Sequence, residues 1–147
     1  MKMLDNIHGG SLMKRSKLSD VSTNPLIMYL SGIFDIGGCV KIEVPKKGAK
    51  ASLYIWVTSK HFTLMEFLQS FGAYVSRKSD GQYRAKWRDK RAYDILKAMI
   101  SHLKVRKDQA LCGIEFFEAK IGDPALSDEV IYRMRLKLLK KEDEEAI

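Results

Sequence analysis

The stretch that most constrains this chain is Asn24-Pro25-Leu26-Ile27-Met28-Tyr29-Leu30-Ser31-Gly32-Ile33-Phe34-Asp35-Ile36-Gly37-Gly38-Cys39. Asn24 carries a side-chain oxygen suited to capping free N–H groups. Pro25 fits the first helical position, where its missing N–H costs nothing. The pair Gly37-Gly38 reads as the stop, with the backbone freed for a sharp turn. A β-rich run, Val40-Lys41-Ile42-Glu43-Val44, follows at once. Ser31 and Gly32 are small residues inside an otherwise apolar helix. Glycine there costs about 1 kcal/mol against alanine, and close approach of a second helix backbone is the expected compensation.

The rest of the chain supplies two hairpins and more helices. Val40, Ile42 and Val44 alternate with Cys39, Lys41, Glu43 and Pro45, and Lys46-Lys47-Gly48-Ala49 makes a turn. Ala51, Leu53, Ile55 and Val57 then alternate with Ser52, Tyr54, Trp56 and Thr58. Period-2 alternation puts each set on one face. One is a core face, and the other carries lysine, hydroxyls and two aromatics, which suits a polar, anionic partner. Leu64, Phe67, Leu68 and Phe71 have helical spacing, and Gly72 ends that helix. In the second hairpin Tyr74-Val75-Ser76-Arg77-Lys78 leads into Asp80-Gly81, the pair preferred in a type I′ turn. On its return strand Tyr83, Ala85 and Trp87 alternate with Arg84, Lys86 and Arg88. Three cations on one strand face read either as an anion-binding surface or as charge that blunts an edge strand.

Asp89 reads as the cap of a helix with Ala92, Ile95, Leu96, Met99 and Leu103 on its apolar stripe. After a break near Lys104, Ala110, Ile114, Phe117 and Ile121 share one side of a further helix, ended by Gly122-Asp123-Pro124. Ser127 caps a last helix with Ile131, Met134 and Leu138 inward. Glu142, Asp143, Glu144 and Glu145 crowd its C-terminal end, where the helix dipole disfavours anions, so fraying is expected there. The pattern of helix, hairpin, helix, hairpin, helices defines an α+β class.

Charge narrows the partner. The formal net charge is +8, which favours a polyanion, most often nucleic acid. No apolar run is long enough to span a bilayer, and no apolar signal segment opens the chain. Cys39 and Cys112 are far apart with no CxxC, and His8, His61 and His102 lack ligand spacing. These patterns fit an intracellular, reducing compartment and disfavour a zinc site or a disulfide framework. Residues 1–23, with the patch Lys14-Arg15-Ser16-Lys17, read as a flexible basic arm, and 24–147 as a single domain.

The segment Leu30-Ser31-Gly32-Ile33-Phe34-Asp35-Ile36-Gly37-Gly38 resembles the motif of the LAGLIDADG homing endonucleases and intron maturases. The leucine, small residue, glycine, two apolar residues, aspartate and final glycine match. Further likeness lies at Tyr54-Ile55-Trp56-Val57-Thr58-Ser59-Lys60, at Phe71-Gly72 and at Leu103-Lys104-Val105-Arg106-Lys107-Asp108-Gln109-Ala110-Leu111. The resemblance covers roughly Asn24 to Ile121 and implies an αββαββα fold. In it a saddle-shaped, four-stranded antiparallel sheet sits in the DNA major groove, here with extra C-terminal helices. With a single motif it implies a homodimer, joined through Leu30, Ser31, Gly32, Phe34 and Asp35.

The resemblance fails at one position. The family's metal-binding carboxylate falls on Gly37, and Asp35 is the nearest carboxylate, either an alternative metal ligand or a bond acceptor for backbone at the interface. Two other family positions fall on Ser59, which orders water in the family or caps a helix, and on Arg106, which stabilises charge at the phosphate or is a solvated cation. The expected DNA-binding residues are Lys41, Glu43, Lys47, Lys50, Ser52, Tyr54, Trp56, Thr58, Ser76, Lys78, Arg84, Lys86 and Arg88. Lys46, Lys47 and Lys50, near the first turn, are expected on the nucleic-acid backbone. The expectation is a sequence-specific, duplex-DNA-binding homodimer that needs no cofactor. The alternatives are an active endonuclease using magnesium, an intron-RNA-binding maturase-like protein, and a protein-interaction module that kept only the fold.

Overall fold

The computed structural model describes residues 24–45 and 51–145. The expected arm and the turn lysines Lys46, Lys47 and Lys50 lie outside the described residues. The element order is α1 (Pro25–Gly37), β1 (Gly38–Glu43), β2 (Ser52–Ser59), α2 (Phe62–Gln69), β3 (Tyr74–Arg77), β4 (Tyr83–Arg88), α3 (Lys90–Met99), a short 3-10 turn (Ile100–His102), α4 (Lys107–Gly122) and α5 (Asp128–Glu145). The four strands form one antiparallel sheet in the order β1-β2-β4-β3. This is the expected α+β pattern with its added C-terminal helices.

α1 starts as its sequence dictates, with the Leu26 N–H donating to the Asn24 side chain at 2.8 Å and Pro25 in the first turn. Its end differs from expectation. Neither Gly37 nor Gly38 has a positive φ, so no left-handed turn ends the helix. Gly38 leaves the helix directly in extended conformation and opens β1. It is glycine because a Cβ there would overlap the Phe34 ring.

The inner face of the sheet packs Val40, Ile42, Leu53, Ile55, Val57, Ala85 and Trp87 against Leu30, Phe34, Leu68, Leu96 and Phe116. Trp87, wholly inside, satisfies its indole N–H on the Phe71 carbonyl at 3.0 Å. Gly113 of α4 lies against Val40, Leu53 and Leu96, so α4 passes closely beneath the sheet. Ile121, expected on the inner side of α4, is exposed.

Three local expectations are corrected. Gly81 has φ +88° and Asp80 is not in the left-handed region, so the second turn is not type I′. The Gly81 N–H donates to the Lys78 carbonyl and the Lys78 N–H to the Gln82 carbonyl, the bonding of a three-residue loop with a bulged glycine. Asp89 does not cap α3 with its side chain. It has φ 49° and accepts instead from the Leu53 N–H at 3.0 Å, tying β4 back to β2. α5 stays helical through Glu145, because its acidic end meets partners described below.

Candidate nucleic-acid interface

β1 and β2 present alternate residues away from the core. Cys39, Lys41 and Glu43 project from β1, and Tyr54, Trp56 and Thr58 from β2, while the residues between them, Val40, Ile42, Ile55 and Val57, are buried. β4 adds Arg84, Lys86 and Arg88, and β3 adds Tyr74 and Ser76. Register sets the rows across the face: Lys41, Tyr54 and Arg88 in one, then Cys39, Trp56, Lys86 and Tyr74, then Thr58, Arg84 and Ser76. β4 lies between β2 and β3. The edge-strand reading of its three cations therefore fails, because an interior strand has no free edge to protect.

The cations lean onto the aromatics. The Arg84 guanidinium carbon lies 4.3 Å from the Trp56 ring centroid, and the Lys86 ammonium 4.0 Å from that of Tyr54. Arg88 stands 5.6 Å from Tyr54. These distances are within cation–π range. Tyr54 and Trp56 are half-buried, so the C-terminal helices do not close over this part of the face.

The remaining expected residues are less central. Ser52 is buried, with its hydroxyl 3.5 Å from an Arg88 guanidinium nitrogen, and so supports that arginine. Lys78 pairs with Asp80 at 3.6 Å beside the turn. Glu43 lines a cleft of about 580 Å³ at one end of the face, together with Tyr54, Arg88, Lys120 and Arg135. Lys120 comes from α4 and Arg135 from α5. Sequence reasoning did not place them here, because no local pattern tells that helices from the far end of the chain meet this strand end.

The end of α1 gathers Asp35, Ile36, Gly37 and Arg106. One Asp35 carboxylate oxygen accepts from the N–H groups of Val105 and Arg106 at 2.8 Å each, and both oxygens accept from that of Lys104 at 3.1 Å. Asp35 thus fixes the entry into α4. An Arg106 guanidinium nitrogen donates to the Ile36 carbonyl at 3.2 Å, a cation on the negative end of the α1 dipole. Ser59 turns its hydroxyl back to accept from the His61 N–H at 3.1 Å. These groups do not fit a divalent cation. Position 37 offers no oxygen ligand from a side chain, and Asp35 is committed to backbone amides. Among the described residues no three His, Cys, Asp or Glu side chains gather as a metal cage.

The expected interface residues divide sharply. Leu30, Ser31 and Phe34 lie inside the subunit's own core, and Ser31 donates to the Ile27 carbonyl at 2.7 Å. They are corrected as surface contacts, since no second subunit could reach them. Gly32 is on the open side, where a Cβ would meet nothing within 4 Å. Tyr29 and Ile36, 61% and 83% exposed, flank it on the same face, and sequence reasoning passed over both.

No family model and no curated protein matches the sequence. Solved structures do match the fold. The archaeal intron-encoded homing endonuclease I-Vdi141I, complexed with DNA, aligns at TM-score 0.67 and 14% identity over 82% of this chain and 84% of its own. The homing endonuclease I-CvuI, with uncleaved DNA and magnesium, aligns at TM-score 0.64 and 17% identity over 79% of each chain. The LAGLIDADG homing endonuclease I-GzeII with its DNA target aligns at TM-score 0.60 and 16% identity over 80% of this chain and 43% of its own. Helix order, sheet topology and these alignments agree that the chain has the fold of the LAGLIDADG homing endonucleases.

Proposed function

We propose that the protein is a sequence-specific, double-stranded-DNA-binding homodimer that does not cleave its target. The observation that carries this reading is the ladder of Arg84, Lys86 and Arg88 seated on Tyr54 and Trp56 across the open face of the sheet. Cations held in this way meet phosphates and guanine edges with less rotamer freedom left to lose. Binding single strands would ask the rings to stack on bases. Here a cation already lies over each ring, which favours a duplex over unpaired RNA. The solved neighbours in complex with DNA support the same assignment. Gly37 and the commitment of Asp35 to Lys104, Val105 and Arg106 support the absence of cleavage in this reading. The exposed Tyr29, Gly32 and Ile36 face supports pairing of two subunits through α1.

The test is salt dependence. Replacing Arg84, Lys86 and Arg88 together by alanine should flatten the fall of log affinity with log salt by about 0.9 per lost phosphate contact. Base preference at a selected site should relax as well. An unchanged slope and unchanged preference would remove the sheet from the reading. Stronger binding to structured intron RNA than to duplex in direct competition would replace it with the maturase-like function.

A further inference from the structure

The acidic end of α5 sits on the sheet face that the proposed function assigns to DNA. β1 is an edge strand, and α5 packs along it. Arg135 lies by Glu43 at one end of β1, and seven residues later Glu142 reaches Lys41 and Cys39 nearer its start. α5 therefore runs antiparallel to β1 and carries its C-terminus back toward the end of α1. Both Glu142 carboxylate oxygens accept from the Lys41 ammonium at 3.0 Å, and one lies 3.8 Å from the Cys39 sulfur. The last turn is anchored from the other side, where Gln109 donates to Glu145 at 3.0 Å. Leu138, one turn earlier, is buried.

Four consecutive acidic residues at a helix C-terminus oppose the dipole of their own helix. Two of them recover that cost through partners outside the helix, and one partner is a lysine of the open face. Lys41 stands in the same row as Tyr54 and Arg88, so it belongs to the surface a phosphate backbone would cross. A carboxylate gripping that lysine with two oxygens presents the charge and the acceptors that a phosphate presents.

We infer that the C-terminal turn of α5 is an autoinhibitory cover, in which Glu142 occupies Lys41 and must be displaced before a nucleic-acid phosphate takes its place. The inference rests on the reading of the sheet as the DNA face. Lys41 and Glu142 are each about 30% exposed, so the contact is accessible enough to exchange. Where duplex binds, Lys41 exchanges one anionic partner for another, and the last turn of α5 moves aside.

The experiment measures anisotropy of a labelled random-sequence duplex across a series of salt concentrations. Glu142→Gln should tighten binding roughly two- to fivefold at low salt, the range expected for releasing one partly exposed ion pair. It should also steepen the salt slope by about 0.9, because one more cation becomes free to displace counterions. Asp143→Asn, which removes the same charge one residue away, should change binding less. In a Lys41→Ala background Glu142→Gln should have no further effect. Equal effects of Glu142→Gln and Asp143→Asn, or persistence of the gain without Lys41, would overturn the cover and leave only general charge repulsion. Duplex binding by the native protein that Glu142→Gln leaves unaltered would overturn the cover alone. Failure of the native protein and every variant to bind at low salt would overturn the DNA face, and this inference with it.

Discussion

Asp35→Ala should be costly for stability, and the cost can be worked from its bonds. The carboxylate receives the backbone N–H groups of Lys104, Val105 and Arg106. Hydrogen bonds to a charged acceptor contribute about 1.5–3 kcal/mol each, and loss of a helix cap costs about 0.5–2 kcal/mol. The three are not additive here. Lys104 and Val105 are at exposed positions where water replaces the carboxylate, whereas Arg106 is part-buried. The expected loss is therefore about 2–3 kcal/mol, or a fall of about 5–10 °C in Tm for a domain of this size. Asp35→Asn keeps an oxygen at the position that serves all three amides. It sets an NH2 group against the Lys104 N–H and loses the charge, so about 1 kcal/mol is expected. Urea denaturation at fixed protein concentration, with no added metal, reads both values. Alanine within about 0.5 kcal/mol of native would refute the structural role, and so would asparagine as damaging as alanine. A carboxylate reserved for a metal would behave oppositely: its removal would relieve unpaired charge, and magnesium would raise the Tm of the native protein.

Gly32→Leu should act with opposite signs on subunit and dimer. The open side of α1 gives leucine room, and the gain in helix propensity is about 0.5–0.8 kcal/mol, whereas overpacking between two helices costs about 1–3 kcal/mol. Sedimentation equilibrium should show a weakened dimer, and a monomeric native protein would end the dimer reading. Gly37→Asp should add metal-dependent nicking of a selected site, with EDTA as control. Nothing lies within 4 Å of a Cβ there, and an anion at the helix end costs only about 0.3–1 kcal/mol. Robust magnesium-dependent cleavage by the native protein would overturn the non-cleaving assignment.

The element order and both hairpins are legible in the sequence because period-2 spacing is strong in Val40–Ile42, Leu53–Val57 and Ala85–Trp87, and helical spacing in Leu64–Phe71 and Ala92–Met99. Which side of α1 faces inward is not legible. Tyr29, Leu30, Phe34 and Ile36 are all apolar, so periodicity cannot say which side meets the subunit's own sheet. The position of β4 is set by pairing β2 with β4 across intervening chain, which no local pattern encodes. Asp35 finds its partners some 70 residues away, and Asp89 spends its carboxylate on β2 rather than on the helix it precedes. The cation face was readable as charge, while its seating on Tyr54 and Trp56 depends on strand register.

The direct passage of α1 into β1 at Gly38 has a mechanical consequence. With no loop between them and the Phe34 ring wedged against the glycine, helix and strand share one stiff joint. In a dimer paired through α1, a tilt at the symmetry axis becomes a swing of each sheet, as arms move with a common axle. The separation and angle of the two sheets are then dimensions of the subunit itself, set by that joint rather than by any side chain on the open face.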